Sequence, residues 1–382
     1  MKRVLLLVAA ALVLVLTSSS AQAQELTVVA QFDASLGELP EGIAADGDGN
    51  LYLSMASGEI KKVTPNGDAS TFAQLPSPGD GFVTGVAFGT DGDLYVAFGS
   101  MQPDTHGIWR VSPEGDADQF ASLDPATLPN GLAFDSDGNL YVSDSFGGQV
   151  LKVTPGGQVS VWSNAPELAG PAEPVAPLPF SVGANGIAFD AGQDNLYVAN
   201  TGLGTVIKVP MRADGSAGAG EVVLEDRALL RGADGIAFDD AGNLYVTVFL
   251  QDRVIVLSPD WEATTLSEGG PLQNPASVAF GAGTHATELY ITNFAALRAL
   301  GLQEGDPAPA LFSIDVGHRG ILLEQAEEPT ATPRPRATPV VLPPTGGGAG
   351  GSTGFAWWLA VAGAGAFLTA GGLFALRQRS AR

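Results

Sequence analysis

Carboxylate and amide side chains recur at one position of a repeating pattern in this 382-residue chain. Oxygen ligands of this kind are what a hard divalent cation such as Ca²⁺ requires. Four of the six occupants carry such an oxygen, which is more than the composition of the chain predicts by chance. The position directly precedes the repeat glycine, and its occupants are Glu41, Thr84, Asn130, Asn185, Asp234 and Ala276. The pattern indicates a cation site if the fold brings these positions together.

The repeat itself defines the elements that must position these side chains. Its six copies lie within residues 25–326, and the copy that starts at Asn130 reads NGLAFDSDGNLYVSD. Alternating apolar residues, an Asp-Gly turn and a Leu-Tyr-Val run predict strand, turn and strand, and two further strands follow in the unit. We expect the tyrosine of each copy to pack between neighbouring units with its hydroxyl hydrogen-bonded. The six tyrosines, 43 to 56 residues apart, are Tyr52, Tyr95, Tyr141, Tyr197, Tyr245 and Tyr290.

A four-stranded unit that recurs about every 40–50 residues is typical of a β-propeller. We therefore predict an all-β fold over residues 24–326, a six-bladed β-propeller whose blades are four-stranded antiparallel sheets. Segments 28–32 and 321–324 both look like a fourth strand for blade six, and we expect the N-terminal segment to close the ring. The first strand of each blade then lines a central channel, with the position before the repeat glycine at its mouth.

Three of the mouth residues give the core a resemblance to a known family. The chain resembles the gluconolactonase, regucalcin and luciferin-regenerating-enzyme family in three dipeptide motifs: Glu-Gly in blade one, Asn-Gly in blade four and Asp-Gly in blade five. These motifs begin at Glu41, Asn185 and Asp234. The resemblance implies that these side chains hold one divalent cation, with Ca²⁺ favoured over Zn²⁺, Mg²⁺ and Mn²⁺. It also implies hydrolysis of a small lactone or ester, in which the cation polarises the carbonyl, Asp234 is the general base and Asn130 orients the substrate.

The chain departs from the family at Leu128 and Pro129, where some members carry a substrate-facing arginine. A lactone or ester hydrolase is one hypothesis, and it requires a cation with an open coordination position. The second is a non-catalytic module that binds a glycan, a peptide or an envelope component, with an apolar mouth or a fully enclosed cation. A redox propeller of the sorbosone-dehydrogenase kind is a third interpretation, which the shortage of basic residues near the mouth disfavours.

Further polar side chains end the second strands, on the same face of the propeller. Asp144 and Asn200 are predicted substrate-binding residues, and Asn293 shares their position; the alternative for all three is solvation of a loop. Two insertions, residues 164–184 and 294–309, are expected to rise on the mouth face. Long loops of this kind either serve the site or decorate the surface.

Both ends of the chain carry patterns of export. Residues 1–23 are interpreted as a signal peptide, with a basic start, an apolar stretch and an Ala-x-Ala cleavage site. Residues 327–354 form a predicted stalk rich in Pro, Thr and Gly, which contains the motif LPPTG at 342–346. Residues 355–376 are uncharged and long enough for a transmembrane helix, and residues 377–382 form a basic cytoplasmic tail.

The order of these C-terminal parts resembles a cell-wall sorting signal. The resemblance implies that a sortase recognises Leu342, Pro343, Thr345 and Gly346, cuts after Thr345 and joins the chain to the envelope. A plain membrane anchor is the alternative. Either interpretation places the propeller outside the cell, anchored to its surface.

Composition limits the function classes that remain. The chain has no cysteine, which excludes disulfides, thiolate zinc sites and cysteine nucleophiles. Its net charge of −23 argues against nucleic acid, whose phosphates need a basic surface. His106, His285 and His318 lack the spacing of a zinc site and are interpreted as surface histidines. We expect a monomer whose partners are a small lactone or ester, the sortase and the membrane.

Overall fold

In blades one, three, four and five, the hairpin of the repeat is built around the aspartate that starts its turn. In blade three, one carboxylate oxygen of Asp135 accepts hydrogen bonds from the backbone nitrogens of Asp137 and Asn139, at 3.1 and 2.8 Å. The other oxygen accepts from the hydroxyl of Tyr141 at 3.1 Å. Gly138 has a φ of 79°, a left-handed conformation that glycine adopts without steric cost. One acidic side chain therefore fixes both the turn and the tyrosine.

The computed structural model describes residues 25–76 and 81–321. In that part of the chain, 24 strands form six antiparallel sheets of four strands each. Blade one comprises β2 (Pro40–Ala45), β3 (Leu51–Met55), β4 (Glu59–Val63) and β5 (Ala69–Gln74). Blade two comprises β6 (Gly81–Phe88), β7 (Leu94–Ser100), β8 (Gly107–Val111) and β9 (Ala117–Ser122). Blade three comprises β10 (Pro129–Phe134), β11 (Leu140–Asp144), β12 (Gln149–Val153) and β13 (Val159–Ser163).

The second half of the ring repeats the same order. Blade four comprises β14 (Ala184–Phe189), β15 (Asn195–Asn200), β16 (Thr205–Pro210) and β17 (Glu221–Glu225). Blade five comprises β18 (Ala233–Phe238), β19 (Leu244–Val248), β20 (Arg253–Leu257) and β21 (Ala263–Glu268). Blade six comprises β22 (Pro275–Phe280), β23 (Glu288–Asn293), β24 (Ala310–Asp315) and β1 (Thr27–Gln31). Short helices in the connections include α1 (Arg227–Leu230), α2 (Ala296–Ala299) and the 3-10 turns Ala34–Leu36, Pro166–Leu168, Phe249–Gln251 and Gly283–His285.

The tyrosines pack between blades, as predicted. The ring of Tyr52 lies edge-on to Phe88 of the next blade, with ring centroids 5.0 Å apart. Each such aromatic pair contributes about 0.5–1.5 kcal/mol beyond its buried area. Tyr290 packs instead in an aliphatic cluster with Ile43 and Leu51, because blade one carries Ala45 where the other blades have phenylalanine. Equivalent aromatic contacts join Tyr95 to Phe134, Tyr141 to Phe189, Tyr197 to Phe238 and Tyr245 to Phe280.

The N-terminal strand completes blade six, which confirms the predicted ring closure. β1 pairs antiparallel with β24, from Thr27 opposite Ser313 to Gln31 opposite Ala310. The strand covers residues 27–31 rather than 28–32. The other candidate segment begins beside blade five, where the backbone nitrogen of Ile321 donates to Phe238 at 3.1 Å.

The predicted export elements lie outside the described residues. These are residues 1–23, the stalk at 327–354 with its motif at 342–346, the span at 355–376 and the tail at 377–382. Within residues 25–76 and 81–321, no helix has the length and apolar character needed to cross a bilayer.

Candidate metal and active site at the channel mouth

The repeat glycines allow the six first strands to approach one another around the channel. A Cβ at Gly42 would lie 2.5 Å from the carbonyl oxygen of Thr84 in the next blade. A Cβ at Gly186 would lie 2.2 Å from the carbonyl oxygen of Asp234. Only glycine avoids these backbone contacts, so each glycine sets the position of the mouth residue in the next blade. Blade six carries Ser277 at this position.

Hydroxyl groups on the second strands connect the mouth residues from blade to blade. Thr292 donates to the carbonyl oxygen of Glu41 at 2.7 Å, which joins blade six to blade one. Ser143 accepts from the backbone nitrogen of Gly131 in its own blade and donates to the carbonyl oxygen of Asn185 in the next. Ser54 and Thr247 occupy the same position and make the same interblade bond. These interblade hydrogen bonds were not predicted from the sequence. Their signal in the sequence is a Ser or Thr two residues after the tyrosine in four of the six copies.

Glu41, Asn185 and Asp234 come together at the mouth, where each is 5–8% exposed. Burial raises the pKa of the Glu41 carboxyl well above its usual range, and the nearby Asp234 carboxylate raises it further. Burial also raises the pKa of Asp234, and a hydrogen bond from the Asn185 side chain partly opposes this shift. Because the Asp234 carboxylate raises the pKa of Glu41, the two acids lie within Coulombic reach of one another.

The donor set at this position fits a divalent cation. No basic side chain in residues 25–76 and 81–321 contributes to the pKa shift of either acid. Two buried carboxylates without a counter-charge are costly, and a cation with oxygen ligands removes that cost. The part of the chain that the structure describes holds no cluster of three or more His, Cys, Asp or Glu side chains arranged for a metal. A site here therefore depends on the amide oxygen of Asn185 in addition to the two acids.

Asn130 faces the same mouth and is held by its amide nitrogen. That nitrogen donates to the hydroxyl of Ser145 at 3.2 Å. The amide nitrogen of Asn185 donates to Thr201 in the same manner at 2.9 Å. In both residues the nitrogen is engaged, so the carbonyl oxygen is the group left for a ligand. Thr84 donates its hydroxyl to the carbonyl oxygen of Pro129, which places it in the backbone framework of the mouth.

Asp144, Asn200 and Asn293 lie at the ends of second strands, where each is fully buried and fixes a loop. Asp144 accepts from three backbone nitrogens with one oxygen and from Gln149 with the other. Asn200 donates to the carbonyl oxygens of Glu167 and Ala169, and Asn293 donates to loop carbonyls in the same way. Their observed contacts are structural, and they separate these residues from the Glu41, Asn185 and Asp234 group.

The interpretation of His106 as a surface residue was wrong. The side chain is fully buried, where its Nδ1 accepts from the backbone nitrogen of Ser100 at 3.0 Å and its Nε2 lies 3.0 Å from the Thr127 hydroxyl. Burial lowers the pKa of His106 to about 4. The neutral imidazole therefore joins the blade-two loop to the start of blade three, which is a structural role.

The far end of the channel differs in character from the mouth. A cavity of about 1000 Å³ opens there, and none of the predicted site residues lines it. Its wall comes from the other end of the first strands, chiefly the repeat alanines Ala87, Ala133, Ala188, Ala237 and Ala279 and the phenylalanines that follow them. Thr90, Ser136, Asp190 and Gln193 also line this cavity, so it has polar groups of its own, separate from the predicted ligands at the mouth.

Residues 180–295 match the SMP-30/Gluconolactonase/LRE-like region family model. That match includes Asn185 and Asp234, whereas Glu41 lies in residues 21–63, which match the strictosidine synthase-like N-terminal model. Lactonase drp35 of Staphylococcus aureus strain USA300 is 26% identical over 230 residues, which cover 57% of this chain and 66% of that protein. The chain thus matches just under two thirds of the length of this relative.

Solved structures share the architecture. A luciferin-regenerating enzyme superimposes with a TM-score of 0.58 at 20% identity, covering 79% of this chain and 100% of the other. Regucalcin from Agrobacterium tumefaciens strain C58, described as a calcium-binding protein, gives a TM-score of 0.57 at 17% identity over 79% and 97% of the two chains. Likeness at this identity establishes the fold. The family match over residues 180–295 adds that this part of the chain is similar to gluconolactonase-type propellers.

Proposed function

We propose that this propeller is a divalent-cation-dependent hydrolase of a lactone or ester, exported and anchored at the cell surface. The observation that carries the proposal is the buried pair of Glu41 and Asp234 beside Asn185, without a basic partner in the described part of the chain. Ca²⁺ is the cation that this oxygen donor set favours. The lactonase name of the S. aureus relative supports the same reaction class.

The residues divide the chemistry between them. Glu41, Asn185 and Asp234 would hold the divalent cation, which would supply Lewis-acid polarisation of the substrate carbonyl when bound. Asp234, oriented by the Asn185 side chain, accepts the proton of the attacking water. The water oxygen bonds to the carbonyl carbon, the ring carbon–oxygen bond breaks, and the departing alkoxide takes up the proton. Asn130, held by Ser145, orients the substrate with its amide oxygen.

The test compares cation binding and hydrolysis in matched variants. We expect Asp234→Asn and Glu41→Gln to weaken Ca²⁺ binding by about 10- to 100-fold or more, since even the outer partners of metal ligands are worth that much. Hydrolysis of a lactone panel, followed in a pH-stat, should fall at least as far. Asp48→Asn is the control, because Asp48 is an exposed hairpin acid away from the mouth.

Each outcome of this test has a defined meaning. A wild-type protein that binds no divalent cation refutes the proposal. A protein that binds the cation but cleaves no lactone or ester is the binding module instead, and a glycan, peptide or envelope ligand then has to be sought.

The proposed location rests on the sequence of the two ends. We infer cleavage of the signal peptide at 1–23 and anchoring through residues 342–376, by a sortase or by the span alone. Thr345→Ala separates the two, because sortase attachment to the envelope requires the threonine whereas a membrane anchor does not. Release of the variant by detergent but not of the wild type indicates sortase attachment, and equal release of both indicates a membrane anchor.

A further inference from the structure

The mouth of the channel carries an apolar arc that the proposed chemistry does not use. The arc is contributed by the loop after β11, by the insertion before β14, by the turn after β19 and by the blade-six insertion. Its side chains are Phe146, Leu178, Phe180, Phe249, Phe294 and Leu297.

The arc adjoins the candidate site at two points. Phe146 directly follows Ser145, whose hydroxyl holds the amide of Asn130. Phe249 directly follows Val248, which pairs with Ala233 next to Asp234. Aromatic residues therefore directly follow, in the chain, the residues that hold Asn130 and that pair with the neighbour of Asp234.

The tip of the first insertion links loops of three other blades on the mouth face. Phe180 packs edge-on against Phe146 of the blade-three loop, with ring centroids 5.2 Å apart. Leu178, two residues earlier, packs in a cluster with Phe249 and Leu297 from the loops of blades five and six. A segment that contacts a loop of blade three and loops of blades five and six within three residues lies on the mouth face above blade four, which separates blades three and five.

Buried hydrogen bonds hold the arc in place. The backbone nitrogen of Gly183 donates to the carbonyl oxygen of Ser145 at 2.9 Å, which fixes the end of the first insertion. Asn274, fully buried, accepts from the backbone nitrogen of Leu297 at 3.1 Å and donates to the carbonyl oxygen of Phe249 at 3.2 Å. The arc is therefore a preformed surface, which lowers the entropic cost of binding a ligand.

The arc is accessible and uncharged. Leu178, Phe180 and Phe294 are each partly exposed. The basic side chain on α2, Arg298, pairs with Asp252 at 3.6 Å and donates from Nε to the carbonyl oxygen of Glu304 at 3.1 Å. An anionic or polyhydroxylated substituent would find no hydrogen-bond or charge partner on Leu178, Phe180 and Phe294. An apolar substituent would remove the exposed surface of these three side chains from water.

We propose that the substrate is an uncharged lactone or ester with an alkyl or aryl substituent, which lies against Leu178, Phe180 and Phe294. The inference rests on the proposed hydrolase function, because it assigns the substrate class of the same site. A sugar lactone, with hydroxyls in place of the apolar group, is the poorer substrate.

The test measures kcat/KM for γ-butyrolactone, γ-nonalactone and glucono-δ-lactone with the purified protein and Ca²⁺. We expect a gain of about three- to fourfold for each methylene that reaches the arc. The ratio of γ-nonalactone to γ-butyrolactone should fall in Leu178→Asn and in Phe294→Asn. Val222→Asn is the matched control, since Val222 is 40% exposed on β17, the fourth strand of blade four.

Two results overturn the inference. One is a glucono-δ-lactone rate equal to or above that of γ-nonalactone, and the other is an unchanged ratio in both arc variants. Binding of the corresponding lactams, which are not cleaved, separates this failure from that of the hydrolase proposal. If no lactone is hydrolysed, the apolar subsite is still supported when lactam affinity rises with the length of the alkyl substituent and falls in Leu178→Asn. Lactam affinity that is independent of the length of the alkyl substituent refutes the subsite.

Discussion

Replacing Gly186 with alanine tests whether the close packing of the first strands positions the site. The new Cβ would lie 2.2 Å from the carbonyl oxygen of Asp234 and 2.8 Å from the Cα of Gly235. Both neighbours are backbone atoms, and nonbonded heavy atoms are most stable at about 3.5–4.0 Å. β18 must therefore move by about 1 Å or more, and Asp234 moves with it.

The magnitude follows from this displacement. Overpacking of this kind costs about 1–3 kcal/mol of unfolding free energy. In a domain of this size each kcal/mol lowers Tm by about 2–4 °C, so we expect a fall of about 2–12 °C. A misplacement of about 1 Å at a reacting group costs roughly 100-fold in rate, so Ca²⁺ affinity and hydrolysis should fall more than stability does.

The assay is differential scanning calorimetry with a Ca²⁺ titration, and Gly47→Ala is the control. Gly47 has no heavy atom within 4 Å of its would-be Cβ, so we expect a change of about 1 kcal/mol or less there. An unchanged Tm and an unchanged Ca²⁺ affinity in Gly186→Ala would refute the reasoning. A lower Tm with intact affinity would show that the packing sets stability but does not position Asp234.

Three further predictions concern charge and ring closure. Without cation, the wild type should lose stability relative to the double variant Glu41→Gln/Asp234→Asn as pH rises above about 4.5, because the native state holds the protons of these two acids more tightly than the unfolded chain does. The loss should reach up to about 1.4 kcal/mol of unfolding free energy per pH unit for each acid. Saturating Ca²⁺ should abolish the stability difference, and a difference that does not change with pH would contradict the prediction. Because its pKa is lowered to about 4, the neutral His106 should contribute up to about 3 kcal/mol of unfolding free energy, present above pH 6.5 and lost as pH falls through 4. Denaturant unfolding of the wild type and of His106→Gln across this pH range measures the contribution. Parallel curves of stability against pH for the two proteins would exclude it. Deleting residues 25–31 should expose the edge of β24 and lower Tm by roughly 6–12 °C or more, and an unchanged melting curve would show that β1 does not close the ring.

The sequence predicts the blades well because their signals are local. A turn aspartate, a glycine and a tyrosine lie within seven residues of one another in five of the six copies, and the sixth copy keeps the tyrosine. The mouth positions follow from the same repeat, since they sit at a fixed place on each first strand. The structure therefore brings Glu41, Asn185 and Asp234 together although 193 residues separate the first from the last.

What the sequence did not reveal depends on partners far along the chain. The hydroxyl of Thr292 meets the backbone of Glu41 only because the ring closes. Asp144 and Asn200 resemble ligands by type, yet most of their partners are backbone groups in loops whose paths no local pattern specifies. The burial of His106 depends likewise on Thr127, which lies 21 residues away.

The closure of blade six has a consequence for the order of folding. β1 is synthesised first, but its partner β24 follows only after five complete blades. Contacts of such large sequence separation slow folding, because the entropy of closing the loop is lost before the contact stabilises the chain. The first strand must therefore stay unpaired until residue 315 is available, and the ring becomes one cooperative unit only at that step. A chain that ends before β24 leaves the repeats in place but cannot close the circle.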